Sequence, residues 1–390
     1  MSGQTADRVL HYVQDQQSAL IELLRHMVDA ESPSKHPNAH RLIIAVLNEA
    51  FASLGFKVRV PRARDSHRHI YARRSNRTRK HPAQLLLGHY DTVWPLGTTA
   101  KRPFTVDGNI VRGPGTFDMK GGIAQIIIAL RAIQELDLPL PLEPVIFINS
   151  DEEIGSRTST KYVRALANCV ERTFVLEPAL GEEGALKTER KGIGRFTIVV
   201  HGKAAHAGLD PGSGASAILE LSHVIQTLFA LNDADKGITV NVGTIDGGIQ
   251  PNVIAPHSQA VVDVRVPTVA DGARIEELIR NMQPATPGVR LQIEGGIGRP
   301  SMELTPRNNA LWLQAAGLGQ ELGLNLQHAR AGGGSDGNTT SQYTATLDGL
   351  GPVGHGAHAE HEFLYIDKTL ERTALLAMLL TAPVATGESP

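Results

Sequence analysis

Cysteine is almost absent: Cys169 stands alone in 390 residues. A single thiol excludes an intrachain disulfide framework and fits a reducing compartment. It follows Ala165, Leu166, Ala167 and Asn168, a helix-like stretch, so it is expected to be a buried structural thiol and not a nucleophile. Long apolar runs are missing too, and nothing approaches the roughly 20 residues a membrane span needs. The opening MSGQTADRVLHYVQDQQSALIELL is polar and amphipathic, without the apolar core or small-residue cleavage site of a signal peptide. A cytoplasmic location is therefore expected, and the sequons at Asn76 and Asn338 carry no weight. Excess charge is lacking as well. The 38 basic and 40 acidic residues leave no global field to favour nucleic acid or an anionic membrane as partner.

What is present is ordinary for a soluble globular chain, 41% hydrophobic and 20% charged, and its length favours two domains. Helical spacing of apolar residues covers 7–30, 39–54, 121–136, 309–322 and 367–381, and short apolar runs mark strands at 56–60, 69–74, 84–90 and 144–150. Helices alternating with apolar strands predict an α/β sheet covered on both faces. Around residue 189 the pattern changes. Segments 194–203, 237–248 and 259–266 alternate apolar and polar residues, with helices near 213–230 and 271–283 and a last strand near 289–295. The simplest organisation is an α/β domain, residues 1–188 and 303–390, interrupted by an inserted α+β domain at 189–302. The terminal ATGESP is expected to fray.

Five residues carry the chemistry: His89 in GHYDTV, Asp118 in GPGTFDMKGG, Glu153 in SDEEIG, Glu177 in LEP and His358 in GAHAEHE. Two imidazoles and three carboxylates suit two divalent cations if one carboxylate bridges and each metal takes one His. Asp118 fits the bridge, because a Gly/Pro-rich loop opening onto a helix lets a carboxylate approach two cations. Asp91, two residues beyond His89 on a strand, can accept the ring N–H of that histidine and fix its tautomer. The adjacent Glu152 and Glu153 point different ways, so one can ligate while Glu152 faces the attacking water as general base. Zn²⁺ is the first choice of metal, two per chain; Co²⁺ and Mn²⁺ suit the same ligands.

These motifs resemble the M20 family of co-catalytic zinc metallopeptidases and amidohydrolases, and within it the glutamate carboxypeptidase (carboxypeptidase G2-like) branch. The likeness extends over nearly the whole chain, through HGKAAHAG (201–208), the PNVI…DVR stretch (251–265) and GGGSDGN (332–338). It implies a zinc-peptidase catalytic domain carrying a ferredoxin-like dimerisation domain, and a homodimer formed through residues 189–302. It assigns His89 and Glu177 to one metal, Glu153 and His358 to the other, and Asp118 to both. It also implies a cis peptide after Asp118, where Met119 stands in place of the family's frequent second Asp. His206 would steady the oxyanion across the dimer interface, accompanied by Asn252. Arg265, Arg299 and the backbone around Gly333 would hold a substrate carboxylate, with Lys187 near the substrate side chain. The implied reaction is amide hydrolysis of a small N-acyl amino acid or short peptide, releasing a C-terminal amino acid, glutamate first. A deacylase acting on acetyl or succinyl substrates is the sister reading.

Three rivals are weaker. Gly333-Gly334-Ser335-Asp336-Gly337 matches the G-x-S-x-G elbow of serine hydrolases, with His355 or His358 downstream, but the polar stretch after it does not read as a helix. Gly349 to Gly354 matches G-x-G-x-x-G, a weak signal with His355-Gly356 as a poor helix start. A non-catalytic metal-binding scaffold would require lost ligands, and none is lost.

Overall fold

The computed structural model describes residues 3–75 and 81–384; the Asn76 sequon and the terminal ATGESP lie outside them. The strands used below are β1 (Phe56–Arg59), β2 (Ile70–Arg74), β3 (Ala83–His89), β4 (Glu143–Asn149), β5 (Arg172–Val175), β6 (Gly192–His201), β7 (Thr239–Gly247), β8 (His257–Val266), β9 (Arg290–Arg299) and β10 (Ala345–Leu347). They divide between two compact units. One comprises the chain up to Thr188, Leu304–Ala331 and the chain from Ser335; the other comprises Glu189–Glu303 with Gly332–Gly334.

In the first unit six strands form a mixed sheet in the order β1-β2-β4-β3-β5-β10. β3 pairs in parallel with β4 and β5, and β10 in parallel with β5, while β1 and β2 are antiparallel. Period-two alternation sends Leu85, Leu87, Val145, Phe147 and Val175 to one face, against Val163 of helix Thr160–Ala167. It sends Leu86, Ile146, Ile148 and Phe174 to the other, in one cluster with helices Gly3–Asp15, Gln17–Asp29, Arg41–Ser53, Gly121–Glu135 and Ile366–Thr381. Because both faces are covered, β3 is buried along its whole length, and its centre, Leu85 to Leu87, reads as an apolar run.

Two expectations are corrected here. The helix expected over 7–30 is two helices meeting at Gln16 (φ −87°, ψ 8°). Buried Val9 and Val13 on one and Leu20 and Leu24 on the other keep helical phase across the break, so the periodicity hid it. Cys169 is exposed, not buried: it falls on the turn after helix Thr160–Ala167, its N–H on the Leu166 carbonyl.

The second unit runs β6, helix Ala217–Phe229, β7, β8, helix Val269–Arg280, β9, with an all-antiparallel sheet in the order β7-β8-β6-β9. Phe196, Ile198 and Val200 alternate with solvated residues and pack with Val262, Val264 and the apolar faces of both helices. Ser216 and Thr268 start those helices, their hydroxyls accepting the N–H groups of Leu219 and Asp271 at 3.2 and 3.0 Å. Among the described residues no helix is long and apolar enough to cross a membrane.

Candidate metal centre

Three parallel strands end on one edge of the larger sheet. The register pairs His89 with Asn149 and Leu87 with Val175. β3 therefore terminates at His89, β4 runs through Ser150 and Asp151 into the turn Glu152–Ile154, and β5 is followed at once by Leu176 and Glu177. The carboxyl edge of parallel strands is where open α/β sheets gather functional groups. The loop bearing Asp118 is brought against this edge by glycines that tolerate close approach: a Cβ on Gly122 would meet the Leu176 carbonyl at 2.1 Å, and one on Gly88 would meet Met119 Cε at 2.6 Å. Met119 is fully buried and its sulfur accepts the His89 N–H at 3.3 Å, so the neutral residue after Asp118 packs beneath a ligand. The Asp118–Met119 peptide is cis, as expected. The last ligand arrives through a small antiparallel sheet, in which Phe363–Tyr365 pairs with Ile110–Arg112 and with Gly354–His355.

His89 Nε2 lies 3.3 Å from Asp118 Oδ1 and 3.5 Å from Glu177 Oε1. His358 Nε2 lies 3.4 Å from Asp118 Oδ2 and 2.8 Å from Glu153 Oε2. The two oxygens of Asp118 thus face two different imidazoles, each with a glutamate of its own. His358 reaches this position from left-handed backbone (φ 62°), uncommon for a residue with a side chain. His89, Asp118 and Glu153 offer ligand atoms within 4.8 Å of one another, and so do His89, Glu152 and Glu177. Glu153 Oε1 is buried with no hydrogen-bond partner, and buried Asp118 Oδ1 has only the long His89 contact. Buried carboxylate oxygens left so are costly without a cation, and this donor set fits divalent metal.

The surroundings favour the protonated forms of both imidazoles and of the Glu153 and Glu177 carboxyls. Hydrogen bonds to Asp118 and then Glu153 hold His358 up to about 10. Burial pushes the Glu153 carboxyl up to about 8 and raises that of Glu177. Burial opposes charge on His89, but its contacts with Asp118, Asp91 and Glu177 outweigh this and raise it well above the usual imidazole range. A cation must displace these protons, because only deprotonated side chains ligate. Raising the pH strips them, so metal affinity is expected to climb between pH 6 and pH 9. At pH 7 binding should release at least one proton per chain, read by calorimetry in buffers of different ionisation enthalpy. Release of none would contradict the assigned ligand set.

Asp91 is fully buried. The His89 Nδ1 bond is to its backbone carbonyl, at 3.0 Å, with the carboxylate at 3.5 Å. The carboxylate itself accepts Ser34 Oγ at 2.7 Å and the N–H groups of Glu152 and Glu153 at 3.2 and 3.3 Å. Asp91 therefore positions the acidic pair as well as the ring.

Glu362 is the residue sequence reasoning missed, although it stands in the quoted GAHAEHE segment. Its buried carboxylate accepts the N–H groups of Gly115, Phe117 and Asp118 at 2.8, 3.0 and 3.0 Å, and the Trp94 indole at 3.1 Å. It thereby fixes the Asp118 loop, and burial lifts its own carboxyl to about 6. Glu362→Ala would leave these donors without an acceptor. It is expected to cost about 3 kcal/mol of stability and to weaken metal binding about 10- to 100-fold, read by thermal unfolding and competitive metal titration.

Five of the remaining candidates belong to the inserted unit. His206 is exposed in the inserted unit, on a loop bridged to Val253. Its Nδ1 accepts the N–H groups of Gly208 and Leu209, both at 3.1 Å, so a neutral ring carries its proton on Nε2, ready to donate. Asn252 adjoins it, its carbonyl accepting the Ala207 N–H at 3.0 Å. Arg265 is engaged by Asp263 through two bonds of 2.8 and 3.1 Å. Arg299 ends β9 opposite Ile193, and the Gly333 carbonyl accepts from Arg190 at 3.0 Å. Lys187, in the larger unit, is buried and bridged to Asp348. Ser335 is followed by a helical turn, Gly337–Thr340, which the sequence did not suggest. Its fully buried hydroxyl nevertheless donates to Asp348 at 2.5 Å and accepts from the Gly337 N–H. Among the described residues no imidazole is hydrogen-bonded to it. No helix follows Gly349 to Gly354, where residues 354–355 form a strand.

The chain and its fold resemble known proteins. Residues 188–285 match the model of the M20 peptidase dimerisation domain. The chain is 28% identical to carboxypeptidase G2 of Pseudomonas sp. over 97% of its length and 92% of that protein's. It is 33% identical to a probable carboxypeptidase of Arthroderma otae, over 47% of its length and 44% of the relative's. Its fold matches aminopeptidase PepT of Bacillus cereus (TM-score 0.74, 20% identity, 94% and 98% of the two chains covered). It also matches an M20 family metallo-carboxypeptidase of Sulfolobus solfataricus (TM-score 0.68, 15% identity, 93% and 98% covered). With an α/β domain, an inserted segment that matches the M20 peptidase dimerisation domain and a His- and carboxylate-rich cluster at the sheet edge, the chain is similar to M20 peptidases over nearly its whole length.

Proposed function

We propose that this protein is a metal-dependent amide hydrolase that releases a C-terminal amino acid with a free carboxylate, glutamate first, from a small N-acyl or peptidyl substrate. The observation that carries the reading is Asp118, whose two oxygens face His89 and His358, each with its own glutamate. His89 and Glu177 would hold one cation, His358 and Glu153 the other, with Asp118 shared. Two Zn²⁺ are the first choice, and Co²⁺ and Mn²⁺ suit the same donors. Metal bound there polarises the scissile carbonyl and makes water a nucleophile near neutral pH.

The chain's own groups supply the rest. Glu152 removes the proton of the attacking water and returns it to the departing amine. Asp91 fixes the His89 ring and, through the backbone of Glu152 and Glu153, the base itself. His206 donates its Nε2–H to the developing oxyanion from the inserted domain, and Asn252 assists it. The family's dimerisation domain supports a homodimer in which that domain serves the neighbouring protomer. The substrate carboxylate is assigned to Arg299 and the backbone at Gly333. Arg265 takes second place because of its Asp263 partner, and Lys187 is a weaker contact to the substrate side chain. The whole-chain likeness to carboxypeptidase G2 supports the leaving group.

The test is amino-acid release from a panel of N-acyl and dipeptide substrates, with and without a strong chelator and with zinc added back. Chelator-sensitive release favouring C-terminal glutamate is expected. Preference for another amino acid would move the protein to a sister deacylase, and chelator-insensitive release would overturn the metal reading.

A further inference from the structure

On the face of the larger sheet that carries helix Thr160–Ala167, the helix leaves the edge strands uncovered. The result is a cavity of about 450 Å³ whose walls are Val60, Pro61, Tyr71, Phe147, Tyr162 and Leu166, with Arg59 at its side. None of the described residues lining it is acidic. The register explains how these side chains meet. Arg59 on β1 lies opposite Tyr71 on β2, and Tyr71 opposite Phe147 on β4, so the three stand in one row across the sheet. The adjoining row on the same face sets Lys57 opposite Arg73 and Arg73 opposite Val145. Like charges directly opposite one another cost stability in an antiparallel pair. A second like-charged pair, Arg62 and Arg68, is bridged in the loop between the strands. Residues 57–74 hold seven Lys and Arg against a single carboxylate, Asp65, in a chain whose overall charge is −2. The Lys161 ammonium stands 4.9 Å from the Tyr162 ring centroid, adding a cation beside the opposite wall.

Basic residues on an edge strand guard a sheet against unwanted pairing, but that does not account for an apolar cavity between them. Cavities of roughly 300–1,000 Å³ with apolar walls and a few convergent polar groups are the form of small-ligand sites. Apolar walls with cations at the rim and no carboxylate among them select one chemistry. We propose that this groove is a second binding site, separate from the metal centre, for a small amphipathic carboxylate: an acyl or aryl chain lies against Tyr71, Phe147, Tyr162 and Leu166, and its carboxylate meets Arg59. A polyanion would engage the cations and leave the cavity unused; a neutral apolar molecule would leave the cations unanswered. The site bears on the ligand segment through its walls. The Phe147 and Tyr162 rings both pack against His69 with centroids 5.7 Å away, one tilted and one edge-on, and His69 contacts Ser150 Oγ and Thr158 Oγ1 at 3.4 and 3.2 Å, on either side of Glu152 and Glu153.

Decanoate is the probe, titrated into the full-length protein by calorimetry, with decanol as the uncharged counterpart. Saturable binding of one decanoate per chain is expected, with decanol about tenfold weaker or worse, as the loss of a charge-assisted contact implies. Arg59→Glu should weaken decanoate by a similar factor without affecting decanol. Ala165→Trp, a substitution at an exposed helix position beside the cavity, should exclude both. Neither position belongs to the metal centre, so each variant should keep its fold by circular dichroism and its amino-acid release. No saturable binding, equal binding of decanol, or indifference to both substitutions would overturn the proposal, whatever the substrate panel shows.

Discussion

Glu152→Gln is expected to lower kcat by about 10²- to 10⁴-fold, the range general-base catalysis supplies, while the metal content of the purified protein stays unchanged. The substitution keeps the volume and one acceptor oxygen while it removes the charge and the basicity. Two neighbourhoods of Glu152 compete in this expectation. Its backbone N–H sits on Asp91, which aims the side chain from the end of β4. Yet its carboxylate also comes within 4.8 Å of ligand atoms of His89 and Glu177, so ligation is the physical alternative. The two roles separate cleanly in measurement. A base leaves stoichiometry intact, with the loss confined to kcat and with little change in KM. A ligand would cost bound metal together with activity, and added zinc would restore part of both. Retained metal with unchanged turnover would sink the catalytic role of Glu152.

The residues legible in the sequence were those whose chemistry is local. A fully buried strand reads as an apolar run, and a ligand placed at its end, as at His89 or after VIFINS, is visible because the polarity changes abruptly. The inserted unit was legible because one solvated face imposes alternation. What stayed hidden depends on contacts far apart in the chain. Glu362 serves Asp118 across a sheet whose strands are two or three residues long, too short to carry a pattern. Arg172 looks like any surface arginine, yet it is buried and donates to the Leu379, Ala382 and Pro383 carbonyls at the end of the last long helix. β5 is only four residues long and went unread. Cys169 was misjudged for a related reason: composition suggested a helix, but the chain had already turned outward.

Asp118→Asn should have the largest effect on the metal itself. A single side chain faces both imidazoles, at 3.3 Å through Oδ1 and 3.4 Å through Oδ2, and an amide cannot present two anionic oxygens. Each half of the site then keeps one His and one Glu, fewer than the three protein ligands typical of a catalytic zinc. Bound metal is expected to fall from two per chain to one or none by elemental analysis, and turnover by at least about a thousandfold, a loss comparable to removing a principal catalytic group. The fold should survive. Burial opposes charge on Asp118, and its contacts with His358 and His89 hold its carboxyl far below the usual range. In the metal-free protein those contacts are what the amide loses, so the stability they lend near neutral pH should fall, and most visibly where both histidines are protonated. The variant therefore separates two contributions that the native residue combines. Thermal unfolding of the metal-free proteins at pH 7 reads the loss of the histidine contacts. The difference between metal-loaded and metal-free midpoints reads the cations, and that difference should nearly vanish in the variant. A variant that keeps two tightly bound metals would remove Asp118 from the shared position and, with it, the observation on which the functional reading stands.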